Sequence, residues 1–544
     1  MDLSKDRTMT KKAIVSTVAL LLVLSIGLAL FAACNDKQIE FEQTTDNYRT
    51  MYQIFPYSFA DSNGDGIGDI QGIIDKLDYI ADMNFDGIWL TPVHQSTTYH
   101  KYDVVDYKSI DKQFGTIEDY DRLVEECHNR GMTIILDLVI NHTSSKHEWF
   151  KAACRARLGQ RDADPYYNFY NFSYTGGDGW YKVGVVGGQT LYYEGKFWSE
   201  MPDLNWDEVL ENPDGALAKA LEEVMRFWLI DHNVDGFRLD ATGEFYSGSP
   251  VQNVAALTWI NDTAKAIKPD CYIVGEGPWD ASAYSYYTSG IDSFFLFNHG
   301  YRGDNSISMA GRGMSGAFSW FSDIDGLNER RLGDIESSIP ALFVSNHDTA
   351  RAIGILQGTG AIDNMKMGYA VMAMCMGTTY WYYGDEVGMA AYTNSSGNVP
   401  DENKRQPMPW GDDYTCKPVS GSTAADDSVK YPYGTVADNL KNKSSLIKFI
   451  TQANALRRAF PVIARSYGEV IYDDDDCVGI IKKGEGEDAV YIAVNLSHIM
   501  SSVIDLSQYG NFTLAGTLSV RTNPRLKGNS LTLPAMSFAV LKKV

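Results

Sequence analysis

The sequence predicts an α/β protein: a parallel (β/α)8 barrel of the TIM type, a subdomain inserted after the third strand, and a C-terminal antiparallel β-sandwich domain. Three observations lead there. Between residues 50 and 460, short apolar β-like runs alternate with amphipathic helical ones, and eight strand candidates emerge. From about Thr143 to Trp206 the rhythm gives way to a stretch rich in Tyr, Gly and Asp, too long for a plain loop. Beyond Phe460 the pattern becomes purely alternating, as in "AVYIAVNLS" at 489–497. Strands alternating with helices imply a parallel sheet with helices outside, and eight such units suggest a barrel. Strict alternation implies an antiparallel sheet with one solvated face. The expected boundaries are 48–142 and 207–458 for the barrel, 143–206 for the insert and 459–544 for the β-domain.

The strand candidates are, in order, "TMYQIF" (50–55), "GIWLTPV" (87–93), "TIILDLVINH" (133–142), "GFRLDA" (236–241), "CYIVGEG" (271–277), "SFFLFNHG" (293–300), "ALFVSNHD" (341–348) and "TYWYYGDE" (379–386). Helical segments fall between them. "IQGIIDKLDYIADM" repeats Ile73, Leu77 and Ile80 at helical spacing, and "TIEDYDRLVEECHNRG", "LAKALEEVMRFWLIDH" and "VAALTWINDTAKAI" follow the same logic. A second long excursion, 390–440, follows the eighth strand.

The chain has 544 residues, 44% of them hydrophobic, enough for a sizeable core. Its net charge of −23 argues against nucleic acid or anionic lipid as a partner and leaves a neutral substrate open. Lys11 and Lys12 precede an apolar run at 13–33, and then comes Cys34. A basic n-region with an apolar h-region indicates export. Ala32 and Ala33 before a cysteine resemble the lipobox of bacterial lipoproteins. That resemblance implies a signal peptide over 1–33, lipidation of Cys34, a polar tether over 34–47, and an extracellular protein held on the cell membrane. An uncleaved anchor and ordinary secretion are the alternatives, and Met9 competes with Met1 as the start. The other cysteines show no CxxC spacing, and free thiols or an occasional pair are expected. A monomer is expected.

In a barrel of this kind, chemistry gathers at the C-terminal ends of the strands. The third candidate ends in Asp137 to Asn141-His142, the fourth in Arg238 and Asp240, the fifth in Glu276, and the seventh in Asn346-His347-Asp348. A lone strand-end Asp is usually a turn or helix cap; four strands finishing in ionisable groups on one rim point to a site. Paired carboxyls across a cleft are the equipment of glycoside hydrolysis.

"DLVINH", "GFRLDA", "VGE" and "FVSNHD" resemble four motifs of the α-amylase family of glycoside hydrolases (family 13), in the family's order; "GIWLTP", "MPDLNW", "YYGDEVGM" and "KRQPMPW" resemble further ones. The resemblance implies a retaining α-glucan hydrolase acting on α-1,4 bonds of starch fragments or maltodextrins. Asp240 would be the nucleophile, Glu276 the general acid and base, and Asp348 a binder of sugar hydroxyls that helps keep Glu276 protonated. Arg238 would hold the nucleophile ionised. His142 and His347 would hydrogen-bond the sugar, and Tyr102 would be a stacking platform with His100 and Asp103 nearby.

The chain departs from the family where many members carry Lys-His three and four residues after the nucleophile: here stand Gly243 and Glu244. "MPDLNW" lies between the forms of the oligo-1,6-glucosidase and neopullulanase branches, so α-1,4 against α-1,6 stays open. So does transfer to a sugar, as in a 4-α-glucanotransferase, against hydrolysis. An inactive amylase-like subunit of a transporter or a glycan-binding lipoprotein is the alternative of a different class. One stretch remains, "DSNGDGIGDI" at 61–70. It begins like an EF-hand, but the position that would need a bidentate Glu is Gly72. It resembles the calcium loop of the oligo-1,6-glucosidase branch, which implies a structural Ca2+ held by Asp61, Asn63, Asp65, Asp69 and the Ile67 carbonyl.

Overall fold

A computed structural model describes residues 44–300, 305–356, 361–391, 399–423, 430–474 and 476–544. Residues 1–33, Cys34 and most of the tether lie outside the described residues. Eight parallel strands close a barrel: β1 Thr50–Ile54, β2 Gly87–Leu90, β3 Thr133–Leu138, β4 Gly236–Leu239, β5 Tyr272–Gly275, β6 Ser293–Phe295, β7 Ile339–Phe343 and β8 Thr378–Tyr382. Each strand pairs with its neighbours in sequence, and β8 closes on β1 through Thr50↔Thr379 to Gln53↔Tyr382. The eight sequence candidates therefore all become barrel strands.

The interior is filled from Met51, Trp89, Ile135, Val274, Phe295, Phe343 and Tyr380, among others, all buried. β4 contributes no apolar side chain to this packed set. Its register, with Arg238 opposite Asp137 on one side and Val274 on the other, sets a guanidinium among its neighbours instead. The start of β4 is close-packed: a Cβ on Gly236 would lie 1.8 Å from the Tyr272 carbonyl oxygen, so the strand can approach β5 there only as glycine.

The helices outside follow their amphipathic patterns. Ile117–Asn129 starts at a capping box in which Thr116 and Asp119 exchange bonds, and it buries Tyr120, Leu123, Val124 and Cys127. The 143–206 insert holds more regular structure than its composition suggests. A helix runs Glu148–Leu158, and three antiparallel strands run Phe172–Ser173, Trp180–Val186 and Gln189–Glu194, the long pair joined across Gly187 and Gly188. Bridges His142↔Asp203 and Tyr170↔Leu204 fasten the insert's end to the chain leaving β3 and to its own middle.

The C-terminal domain is a sandwich of a five-stranded and a three-stranded antiparallel sheet packed through Ile480, Tyr491, Leu531 and Leu541. Lys483, at the end of the strand Val478–Lys483, reaches the Asp325 carboxylate of a barrel helix at 2.5 Å and donates to the Ile463 and Ser466 carbonyls at 3.0 Å each. Both charges are buried. Cys127, Cys154, Cys271, Cys375, Cys416 and Cys477 are free, as expected. Among the described residues no helix is long and apolar enough to cross a membrane.

Candidate active site

The site is built around Arg238. Its guanidinium donates to Asp240 Oδ1 at 2.6 Å, to Glu276 Oε2 at 2.5 Å and to Asp137 Oδ1 at 3.0 Å. It also lies over the rings of Trp89 and Tyr102, at 5.3 and 5.9 Å. β3, β4 and β5 are adjacent, so the three carboxyls at their ends fall within reach of one cation. A single permanent positive charge thus faces three buried acids, which cannot all be ionised cheaply at neutral pH.

The titrations follow from that arrangement. Burial pushes the Glu276 carboxyl above the usual range; Arg238 pulls it down, while Asp240 and Asp348 push it further up. Burial also raises Asp240, opposed by the charge and hydrogen bond of Arg238. Asp137, fully buried, is raised to about 7 by burial against the pull of Arg238. Asp348 goes the other way. Burial works against its ionisation, but His347 at 2.9 Å and Arg405 at 2.8 Å hold it well below the usual carboxylate range. Burial pushes His347 itself down. Its ring is therefore neutral near pH 7 and helps Asp348 by hydrogen bonding, and the standing cation is Arg405.

These groups open onto a cleft of about 730 Å3. Asp240, Glu276, Asp348, Tyr102, His100 and His142 all line it. Tyr102 lies flat on His347, with ring centroids 5.5 Å apart and planes 4° from parallel, and its hydroxyl bonds Asp137 at 3.0 Å. His142 is fixed by its ring nitrogens, near the Tyr102 carbonyl at 3.2 Å and the Asn141 amide at 3.3 Å.

Two expected sugar contacts sit elsewhere. His347 is fully buried beneath Tyr102, with its ring nitrogens engaged by Gln53 at 2.8 Å and by Tyr102 and Asp348. It holds other site groups rather than facing the cleft. Asp103 is also fully buried and accepts from Ser96, Thr97 and Thr98, so its carboxylate shapes the 96–103 loop. The short polar run before it, "QSTT", was the signal for that use.

Sequence reading passed over several cleft residues. Arg405, 57 positions beyond Asp348, comes from the long excursion after β8. Phe197 enters from the insert, and Trp279 stands beside Glu276, donating to Oε1 at 3.3 Å and stacking on Phe297 at 4.8 Å. Glu244 and Gly243, already marked in the sequence as replacing the Lys-His pair, also line the cleft; Ser247 holds Glu244 at 2.5 Å, and Gly243 leaves the wall beside it open.

In the 61–70 loop, Asp61 accepts from the N–H groups of Asn63, Gly64 and Gly66, while Asp69 caps the helix Ile70–Asp75 and accepts from Ser62. Asn63 and Asp65 each accept from the N–H two residues on, and Lys417 donates to the Asp65 carbonyl at 2.8 Å. The donors are all oxygen, the chemistry of a hard cation. Among the described residues no three acidic, His or Cys side chains converge as they would around a metal ion. The loop's carboxylates are turned to its own backbone.

A parallel eight-stranded barrel whose strand ends bring carboxyls around one buried arginine beside an open cleft defines a glycoside hydrolase. The chain belongs to the α-amylase family: residues 53–466 match the family described as alpha amylase, catalytic domain. It is 36% identical over 373 residues to Alpha-amylase 3 of Dictyoglomus thermophilum, covering 68% of each chain. It is 27% identical over 520 residues to an oligo-1,6-glucosidase of Heyndrickxia coagulans, covering 82% of this chain and 91% of that one. Among solved structures, Eubacterium rectale Amy13B superposes with a TM-score of 0.83 at 34% identity, over 93% of this chain and 97% of that one.

The charge pattern makes a prediction about Asp348. Removing it as Asp348→Asn takes a negative neighbour from Glu276, favours the ionised acid, and lowers the Glu276 pKa. The basic limb of residual kcat/KM should therefore move to lower pH; an unmoved or raised limb contradicts the coupling.

Proposed function

We propose that this protein is a retaining α-glucan hydrolase that cleaves α-1,4-glucosidic bonds of starch fragments or maltodextrins. The observation that carries the reading is the Arg238 guanidinium bonded at once to Asp240 and Glu276 at the floor of the cleft. A pair bridged by one guanidinium suits the shorter carboxyl spacing of retaining enzymes, about 5–5.5 Å. The ion pair favours an ionised Asp240, as a nucleophile requires. Burial with negative neighbours favours a protonated Glu276, as an acid requires.

In the first step an Asp240 carboxylate oxygen bonds to the anomeric carbon while the glycosidic C–O bond breaks, and the Glu276 proton goes to the leaving oxygen. In the second, water gives a proton to Glu276 and attacks the same carbon, releasing Asp240 and the sugar. Asp348, kept ionised by Arg405, accepts sugar hydroxyls; Tyr102 offers a ring face, and His100 and His142 lie within the same wall.

Two further parts of the reading lie away from the chemistry. The sequence pattern of Asp61, Asn63, Asp65, Asp69 and the Ile67 carbonyl supports a structural Ca2+, whose binding would require the loop's carboxylates to turn from the backbone N–H groups they now accept from toward the ion. The N-terminal pattern supports export and lipidation at Cys34, which would hold the enzyme on the outer side of the cell membrane.

The deciding experiment is NMR of products from maltoheptaose, pullulan and panose, with wild type and Asp240→Asn side by side. The expected outcome is α-anomeric product from wild type and a fall in kcat of about 10⁴-fold or more in the variant; β-anomeric product, or a variant as active as wild type, overturns the mechanism. Fragment lengths and the response to pullulan and panose separate α-1,4 from α-1,6 cleavage. Calcium should raise the melting temperature of EDTA-treated protein, by the equivalent of about 2.7 kcal/mol at a hundredfold excess over Kd; an unchanged melt in Asp65→Ala ties that gain to the loop, and no gain in wild type removes the ion. Cys34→Ser should move the protein from the membrane fraction to the soluble one, and retention in the membrane would point to the uncleaved anchor.

A further inference from the structure

A second cavity, of about 350 Å3, lies between the helix Ala216–Arg226, the insert's helix Glu148–Leu158 and the segment around Tyr107. It shares no lining residue with the catalytic cleft. Its volume is at the small end of the range for small-ligand sites. The lining is aromatic: Trp149 and Tyr166 lie partly open, each packed against Phe169 with ring centroids 5.5 and 4.8 Å from it. The rim carries Asp106, Lys108, Lys219 and Glu223, and Lys108 pairs with Glu223 at 3.2 Å. Two charges of each sign leave no net attraction for an ion.

A buried imidazole is among the polar groups that line this cavity. His147 is 5% exposed and caps the helix Glu148–Leu158, its Nδ1 accepting from the Trp149 N–H at 3.1 Å. With Nδ1 used as an acceptor, the proton of the neutral ring sits on Nε2. Burial pushes this ring down to about 4, so it is neutral under physiological conditions. Nε2 bonds to no described residue, and His147 is part of the cavity lining. It is an N–H donor opening onto an aromatic pocket. An apolar ligand would leave that donor unsatisfied. An ion would find a balanced rim. What fits is a neutral ring with an apolar face and a hydroxylated edge, and that is a pyranose.

We propose that this cavity is a second, non-catalytic binding site for one or two glucose units of an α-glucan, stacked on Trp149 and Tyr166 with a hydroxyl accepting from His147 Nε2. The choice of glucan rests on the function proposed above. The site would hold a long polysaccharide while the cleft acts on another part of it.

Two variants test it. His147→Asn keeps a capping oxygen and removes the Nε2 donor; Tyr166→Ala removes one ring. Native electrophoresis through gels containing amylopectin reads binding, and maltotriose hydrolysis on the same preparations reads the cleft. Both variants should migrate ahead of wild type, with Kd for amylopectin raised about five- to tenfold and maltotriose kcat/KM within about twofold. Retardation equal to wild type in both variants overturns the second site while leaving the active cleft standing. Loss of maltotriose turnover in both assigns these residues to the fold and also overturns it. A wild type that neither hydrolyses maltotriose nor is retarded overturns the glucan reading itself.

Discussion

The structure turns on a permanent charge in a place where charge is hard to keep. Arg238 is essentially inaccessible, and a guanidinium cannot be neutralised by losing a proton. Its burial is tolerable only because β3, β4 and β5 deliver a carboxyl each to its edge, and because Trp89 and Tyr102 present their ring faces to it. That demand fixes the strand register at the top of the barrel: Asp137, Arg238 and Val274 must stand abreast. Three buried acids sharing one cation raise one another's affinity for a proton, so burial and the Arg238 charge pull their titrations in opposite directions.

Around that cluster the second layer works by hydrogen bonds. Gln53 and Tyr102 hold His347, His347 and Arg405 hold Asp348, and the Arg405 Nε donates to the His347 carbonyl at 3.1 Å. Arg351 in turn binds the Lys404 carbonyl at 3.0 Å and Asp385 at 3.4 Å. The loop bearing Arg405 is thereby tied to the end of β8 through side chains rather than through a sheet. The insert forms a wall of both cavities: Phe197 faces the cleft, and Trp149 and Tyr166 face the smaller pocket. Between them Tyr107 bonds the Val139 and His142 carbonyls at 2.7 and 3.1 Å, so one buried hydroxyl braces the segment they share.

What could be read in the sequence was what local pattern encodes. A strand buried on both faces must be a short apolar run, so "GIWL", "TIILDL" and "TTYWY" announced themselves, and the polar residue ending each run marked the mouth of the barrel. Asp240, Glu276 and Asp348 were found this way and do share one cleft. Arg405 was overlooked although it stands in the motif "KRQPMPW", because the motif does not itself report that its loop folds back onto the residues after β7. His347 and Asp103 were misjudged because chain position fixes which rim a residue reaches but not how deep its side chain lies. The insert was opaque for another reason: its strands are only partly buried, so alternation is weak. Even so, "WYKVGVVGGQTLYYE" carries a Gly-Gly pair between two β-rich runs, the sign of the hairpin that forms there.

The buried pair between Lys483 and Asp325 bears on where this enzyme can be divided. The match to the family's catalytic domain ends at residue 466, and a cut there would look natural on a sequence map. Such a cut would strip Asp325 of its cation inside an apolar seam and leave the Ile463 and Ser466 carbonyls without their donor. The barrel and its C-terminal domain are in this sense one heritable part. Recombination or swapping between relatives would succeed only if both ends of that seam travel together.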